Sequence, residues 1–239
     1  MNRNKATTWA FVAAWGLLFV GGLLSIGCSP LNVFAYVFAK DEKVKARSPL
    51  TFDKDSPKRD QDEVVVAILP QARGDFGPQF ALLPGEVADK IGKILPELAK
   101  ENKEKRKFKV LGQAQVDKFK ATTPNWKRMS ADEIGQKLGA DFVLEIWLDK
   151  LRLYDPASNN LIYEGRAEVQ VTVYEVGAKD GIPKDSYNLS FDYPKGMPRA
   201  ADSMPLSTFK AQFVDNLALK IARQHVEYKA SNDFAADGR

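Results

Sequence analysis

The chain has 239 residues, 44% hydrophobic and 28% charged, the composition of a globular domain able to bury a real core. Its formal charge of +4 falls to near +2 without Arg3 and Lys5, which leaves 33 basic residues against 31 acidic ones. That balance excludes the dense basic stripe of a nucleic-acid binder, and one cysteine excludes both an intramolecular disulfide and Cys-rich metal sites.

Arg3 and Lys5 precede an apolar run from Trp9 to Ile26, then the small residue Gly27, then Cys28. This is the layout of a secretory signal. A cysteine directly after the small residue resembles the bacterial lipoprotein signal, in which the thiol is acylated and becomes the new N-terminus. On this reading residues 1–27 are a signal peptide, Cys28 carries the lipid, and residues 28–62 form an apolar tether (Leu31 to Phe38) and a charged linker. A thioether-linked Cys28 would also leave no free thiol to oxidise outside the cytoplasm.

Two alternatives stay open. No charge occurs between Lys5 and Lys40, so the segment is long enough to span a bilayer as an uncleaved helix, although Gly16, Gly21, Gly22, Gly27 and Pro30 would break it. Val37-Phe38-Ala39 also fits a small-x-small cleavage site for ordinary secretion. All three readings place the body outside the cytoplasm, and the lipoprotein reading places it in the bacterial cell envelope, membrane-anchored and facing the periplasm or the exterior.

Residues 40–62 hold Pro49, Pro57 and charges of alternating sign, and read as a solvated linker. Glu63 to Pro70 is a β-branched run ending at a proline, the pattern of a strand buried on both faces. A Gly/Pro loop follows (Arg73 to Pro78). Then Pro84 sits in a first helical turn, and Val87, Ile91, Ile94, Leu95 and Leu98 recur at helical spacing. Pro96 is expected to kink that helix or end it early. The basic run Lys100 to Lys109 includes two glutamates and no interleaved aromatic stack, so it reads as a solvated helix end rather than a patch for nucleic acid or anionic lipid.

Phe108 to Gly112 is a short second strand, and Val116 to Phe119 a turn or short helix. Ser130 and Glu133 form a capping box, Ile134 and Leu138 face a core, and Gly139 ends that helix. In the next strand Phe142, Leu144, Ile146 and Leu148 share one face, with Val143 and Trp147 near the other. After the turn Asp155 to Asn160, the segment Leu161 to Val176 alternates, with Ala167, Val169, Val171 and Val173 inward. Leu189 to Tyr193 pairs with it across the loop Gly177 to Ser186. A last helix from Pro205 to about Tyr228 places Phe209, Phe213, Leu217 and Ile221 at four-residue spacing. The order β-α-β-α-β-β-β-α describes one α/β domain of mixed α+β type over residues 63–229. It has a mixed five-stranded sheet and about three helices, and a flexible tail (230–239) follows.

The inventory of reactive residues is thin. His225 is the only histidine, and with no acidic or cysteine partner at ligand spacing it reads as a surface or boundary residue. Gly-x-Ser-x-Gly is absent, and Gly92-Lys93 lies within an amphipathic helix without a preceding phosphate-loop glycine. Glu86 and Asp89 fall in a helix's first turn, where negative charge is stabilising. Trp147 reads as core, and Trp126 as exposed or packing down its own loop. No catalytic, cofactor-binding or metal-binding residue is therefore expected, and no cofactor or small-molecule ligand.

Val64 to Pro70 and Ile134 to Leu144 resemble the "VAVLPF" strand and the "A-x-x-LGAD-x-VL" helix–strand of a superfamily of envelope proteins. It contains the TolB N-terminal domain, the curli secretion lipoprotein CsgG and the lipoprotein activators of penicillin-binding proteins. The whole chain resembles a family of uncharacterised bacterial envelope lipoproteins. The resemblance implies an assembly or interaction domain without catalytic residues. With the signal at Cys28, the expected protein is anchored to the membrane and binds an envelope protein or the cell wall. An oligomeric secretion or transport subunit, associating through sheet edges or the tether, is one alternative. An envelope enzyme with a site built from distant carboxylates is the other.

Overall fold

The computed structural model describes residues 43–74, 76–178 and 181–229. Cys28, the apolar run and the tail at 230–239 lie outside the described residues.

Five strands form the main sheet: β2 (Glu63–Ala72), β3 (Lys107–Val110), β4 (Phe142–Tyr154), β5 (Ile162–Glu175) and β6 (Asp185–Tyr193). Their spatial order is β3-β2-β4-β5-β6, and the short β7 (Arg199–Ala200) adds a sixth strand by pairing with β5. β2 runs parallel to β3 and β4, whereas β4, β5 and β6 form an antiparallel meander. The mixed α/β domain expected from the sequence is thus present, with one strand more in its sheet. A separate pair joins β1 (Lys43–Val44) to β8 (Tyr228–Lys229).

Helices α1 (Leu83–Glu101) and α4 (Leu206–Ala222) cover one face of this sheet. Their buried stripes, including Val87, Ile91 and Leu95 on α1 and Phe209, Phe213, Leu217 and Ile221 on α4, meet the inward side chains of β2, β4, β5 and β6. Pro96 does not end α1: the helix continues to Glu101, because its apolar face is buried on both sides of the proline. The last helix stops at Ala222, short of the expected Tyr228.

On the opposite face, α2 (Gln113–Thr122) and α3 (Ala131–Leu138) seal a smaller core of Ala67, Leu69, Val116, Ile134 and Val143. The expected turn or short helix near Val116 is a full ten-residue helix, which makes four helices in all among the described residues. The capping box at Ser130 and Glu133 is formed as expected, and Gly139 adopts φ 69°, the left-handed conformation a Cβ disfavours. Ser130→Ala removes the acceptor of the Glu133 amide and is expected to cost about 1 kcal/mol, read as a lowered urea midpoint with unchanged slope. The resemblance-bearing segment ends in a structural joint. The buried Asp141 carboxylate accepts the Val65 N–H at 2.8 Å and the Lys58 ammonium at 2.6 Å, locking β2, β4 and the preceding chain together.

That preceding chain departs most from expectation. Its described part, residues 43–62, is not a solvated linker but a strap across one end of the sheet. Leu50 and Phe52 enter the main core, and the Phe52 ring packs on Phe142 at 5.1 Å. The Ser48 amide donates to Gln224 O at 2.8 Å, and the Asp53 amide donates to the buried Glu175 carboxylate at 3.0 Å. Lys184 pairs with both Asp53 and Glu175. Burial opposes its charge, but hydrogen bonds to those carboxylates prevail and hold its pKa above the usual lysine value. Charge alternation made the strap look solvated, yet two apolar side chains and a few paired charges are enough to dock it.

Candidate functional site at the rim opposite the strap

The sheet topology gives the domain two distinct ends. The strap crosses the end where β2, β3, β4 and β6 begin and β5 finishes. The other end holds the termini of β2, β4 and β6, the start of β5, and the loops that lead into α1 and α4.

Three of the four large apolar side chains exposed among the described residues lie at this second end. Leu82 (76% exposed) precedes α1, Leu161 (70%) precedes β5, and Met197 (89%) lies between β6 and β7. Beside Leu82, a pocket of about 400 Å³ is lined by Phe76, Pro78, Phe80 and Pro84. The Gly/Pro composition of residues 73–78 announced a loop, but not that its aromatic residues would wall a cavity.

The adjoining face of the sheet is bare, because α2 and α3, at ten and eight residues, are too short to cover the thirteen-residue β4. Trp147 sits there half-buried, not in the core as expected, with the Arg73 guanidinium stacked 4.5 Å from its ring centroid. Arg73 also donates to Gln170 Oε1 at 2.7 Å and pairs with Asp149 at 3.4 Å. Gln71 Nε2 donates to Glu145 Oε1 at 2.8 Å. Each polar group is thus held by a neighbour on another strand, and the result is an ordered platform beside an apolar pocket. Trp126 is half-buried and packs on the smaller core, with Lys120 over its ring at 5.0 Å.

His225 is the second correction. It is 2% exposed and wedged between strap and sheet, where Ser48 O lies 2.8 Å from Nδ1 and the Tyr187 hydroxyl 3.0 Å from Nε2. A carbonyl only accepts, so Nδ1 carries the proton, and Nε2 accepts from Tyr187. Burial lowers its pKa to about 4 against the opposing pull of Ser48 O and Asp185. With both nitrogens engaged in holding the strap, His225 has a structural role. The four-residue period expected to run on to Tyr228 gave no sign of this, because the strap partner lies 177 positions away.

No protein-family model matches the chain, and no curated protein matches its sequence. Bacterial lipoproteins are among the solved structures it is similar to. Lipoprotein GNA1162 from Neisseria meningitidis is 12% identical over 66% of this chain and 98% of that one, with a TM-score of 0.38. The LpoB C-terminal domain from Salmonella enterica is 15% identical over 54% and 82%, with a TM-score of 0.30. The PelC dodecamer from Paraburkholderia phytofirmans is 9% identical over 77% and 97%, with a TM-score of 0.41. At such scores the likeness carries no argument about activity or partner.

Proposed function

We propose that the protein is a lipid-anchored component of the bacterial envelope whose non-catalytic domain binds another envelope protein through the rim opposite the strap. The observation that carries this reading is polarity. The chain arrives from the signal-like segment at one end of the sheet, and Leu82, Leu161, Met197 and the Phe76–Phe80 pocket are gathered at the other. A domain held by one end presents the other, and arginine stacked on tryptophan beside an apolar pocket is a composition favoured at binding hot spots.

Photo-crosslinking residues placed at Leu82 or Met197 of the full chain in its own cells test the rim. A discrete adduct with a second protein from these positions, and none from Lys118 on α2, is the expected result. Absence of any adduct from both rim positions would count against it. Self-association is the second reading, favoured by β6, which among the described residues pairs only with β5 along its nine-residue length. An adduct of twice the chain mass, with an oligomer in light scattering from detergent, would select it.

Cys28 has its own test. Cys28→Ala is expected to remove a lipid mass increment and to leave the precursor uncleaved, and an intact mass unaffected by the substitution would defeat lipidation.

A further inference from the structure

The strap end carries a different surface. A cleft of about 620 Å³ opens between the strap and the turn that joins α1 to β3. Lys43 and Lys45 line it from the strap, and Lys103, Lys105 and Arg106 from the turn. Two carboxylates, Glu104 and Glu227, share it, and Glu104 Oε1 is occupied by the Glu227 amide at 3.2 Å. Lys45, Lys103 and Lys105 have no carboxylate partner among the described residues. Pro49, Leu50 and Phe108 supply apolar wall.

The turn is built rather than loose. Buried Asn102 donates from Nδ2 to Leu98 O at 2.9 Å, and the Glu104 amide donates to Ala99 O at 2.9 Å. Lys103 is held at φ 56°, a left-handed conformation that a side chain with a Cβ adopts only at a cost. Arg106 is fixed by its bond to Arg59 O and by the Phe52 ring at 5.2 Å. With the Lys103 amide donating to Lys100 O at 3.2 Å, the Glu104 amide's bond to Ala99 O closes α1 in a Schellman cap whose left-handed position Lys103 occupies, so the turn presents its cations from a fixed backbone.

We propose that this cleft receives the phosphate-bearing headgroup of an anionic lipid in the leaflet that holds the anchor. The inference rests on the reading that the chain is membrane-anchored. Residues 29–42 separate Cys28 from Lys43, a stretch that reaches about 50 Å at most. Lys43 and Lys45 are themselves walls of the cleft, so the cleft adjoins the point at which the tether joins the domain. Five cations against two acids match an anionic surface, whose attraction acts over a Debye length of about 10 Å. The apolar wall suits the glycerol and upper acyl region beneath a headgroup.

The test uses the full chain reconstituted into vesicles of phosphatidylcholine alone or phosphatidylcholine with one-third phosphatidylglycerol. Lysines are acetylated briefly and located by mass spectrometry. Lys43, Lys45, Lys103 and Lys105 are expected to react about fivefold more slowly with phosphatidylglycerol present, and molar salt should close that gap. Exposed Lys93 and Lys118 should react alike in both vesicles. The Lys103→Glu/Lys105→Glu variant should keep its melting temperature yet lose the protection of Lys43 and Lys45. Equal labelling in the two vesicles, from a chain that floats with both, would overturn the cleft proposal while leaving the anchor intact. Failure to float with either would overturn the anchor and the proposal together. Inorganic phosphate that slowed the same lysines as strongly would assign the site to a free anion and refute the lipid.

Discussion

Acidification from pH 7 to pH 4 is expected to weaken the fold by roughly 3 kcal/mol through His225 alone. In the folded chain the ring is neutral, donating from Nδ1 to Ser48 O and accepting at Nε2 from Tyr187. Burial disfavours the protonated ring, which would also turn Nε2 into a donor toward the Tyr187 hydroxyl. The folded pKa of about 4 therefore lies below the ordinary value of 6.5 that the unfolded chain recovers. The unfolded state binds the proton first, so the stabilisation is whole above pH 6.5 and drains away as pH falls to about 4. Ser48 is one of the strap's fixed points, so the first consequence is release of the segment next to the tether. Urea unfolding at half-unit pH steps measures the effect. Wild type should lose stability over this window more steeply than His225→Gln, which keeps a donor and an acceptor but does not titrate. Parallel profiles for the two proteins would show that His225 does not couple strap docking to pH.

Gly165→Ala is expected to destabilise the domain by about 3 kcal/mol or more, at the upper end for an overpacked core. A Cβ at this β5 position would stand 2.3 and 2.7 Å from ring carbons of Phe213 and 3.3 Å from Tyr193 O. Neither neighbour can yield. Phe213 is fully buried on α4 with its ring edge-on to Phe191 at 5.4 Å, and the Tyr193 carbonyl belongs to the backbone of β6. The glycine thus sets how closely α4 approaches the sheet, a constraint quite different from the turn glycines. Pairing Gly165→Ala with Phe213→Leu removes ring atoms from the clash, and the double variant should recover part of the loss. A double variant less stable than the sum of the single ones would refute the steric explanation. Gly135 on α3 has the same character, since its Cβ would meet Val176 at 2.4 Å.

The candidate surfaces were only partly legible in the chain. The loop at residues 73–78 and the basic run 100–109 are both visible as sequence features, the first simply as a Gly/Pro loop and the second as a solvated helix end. What escaped was adjacency. Phe76 and Phe80 become a pocket only when the 3-10 turn at Pro78–Phe80 folds them toward Pro84. Lys103 and Lys105 become a cleft only when Lys43 and Lys45, some sixty positions earlier, are strapped opposite them. Trp147 alternates like a core residue, and its half-exposure depends on where two other helices happen to end.

By itself, the sequence determined what is periodic or capped along the chain. The β-branched run at Val64, the four-residue repeat from Phe209, the alternation around Val169 and the capping box at Ser130 each specify an element through local geometry, and together they specify one α/β domain. The signal-like layout around Cys28 is local in the same sense. The tertiary structure alone decided the strand order, the docking of Leu50 and Phe52, the burial of His225 against Ser48, and the separation of a cationic cleft from an apolar rim. Those outcomes depend on which surfaces remain uncovered once the helices are laid down. Side-chain partners 76, 122 and 177 positions apart leave no periodic trace in a single chain.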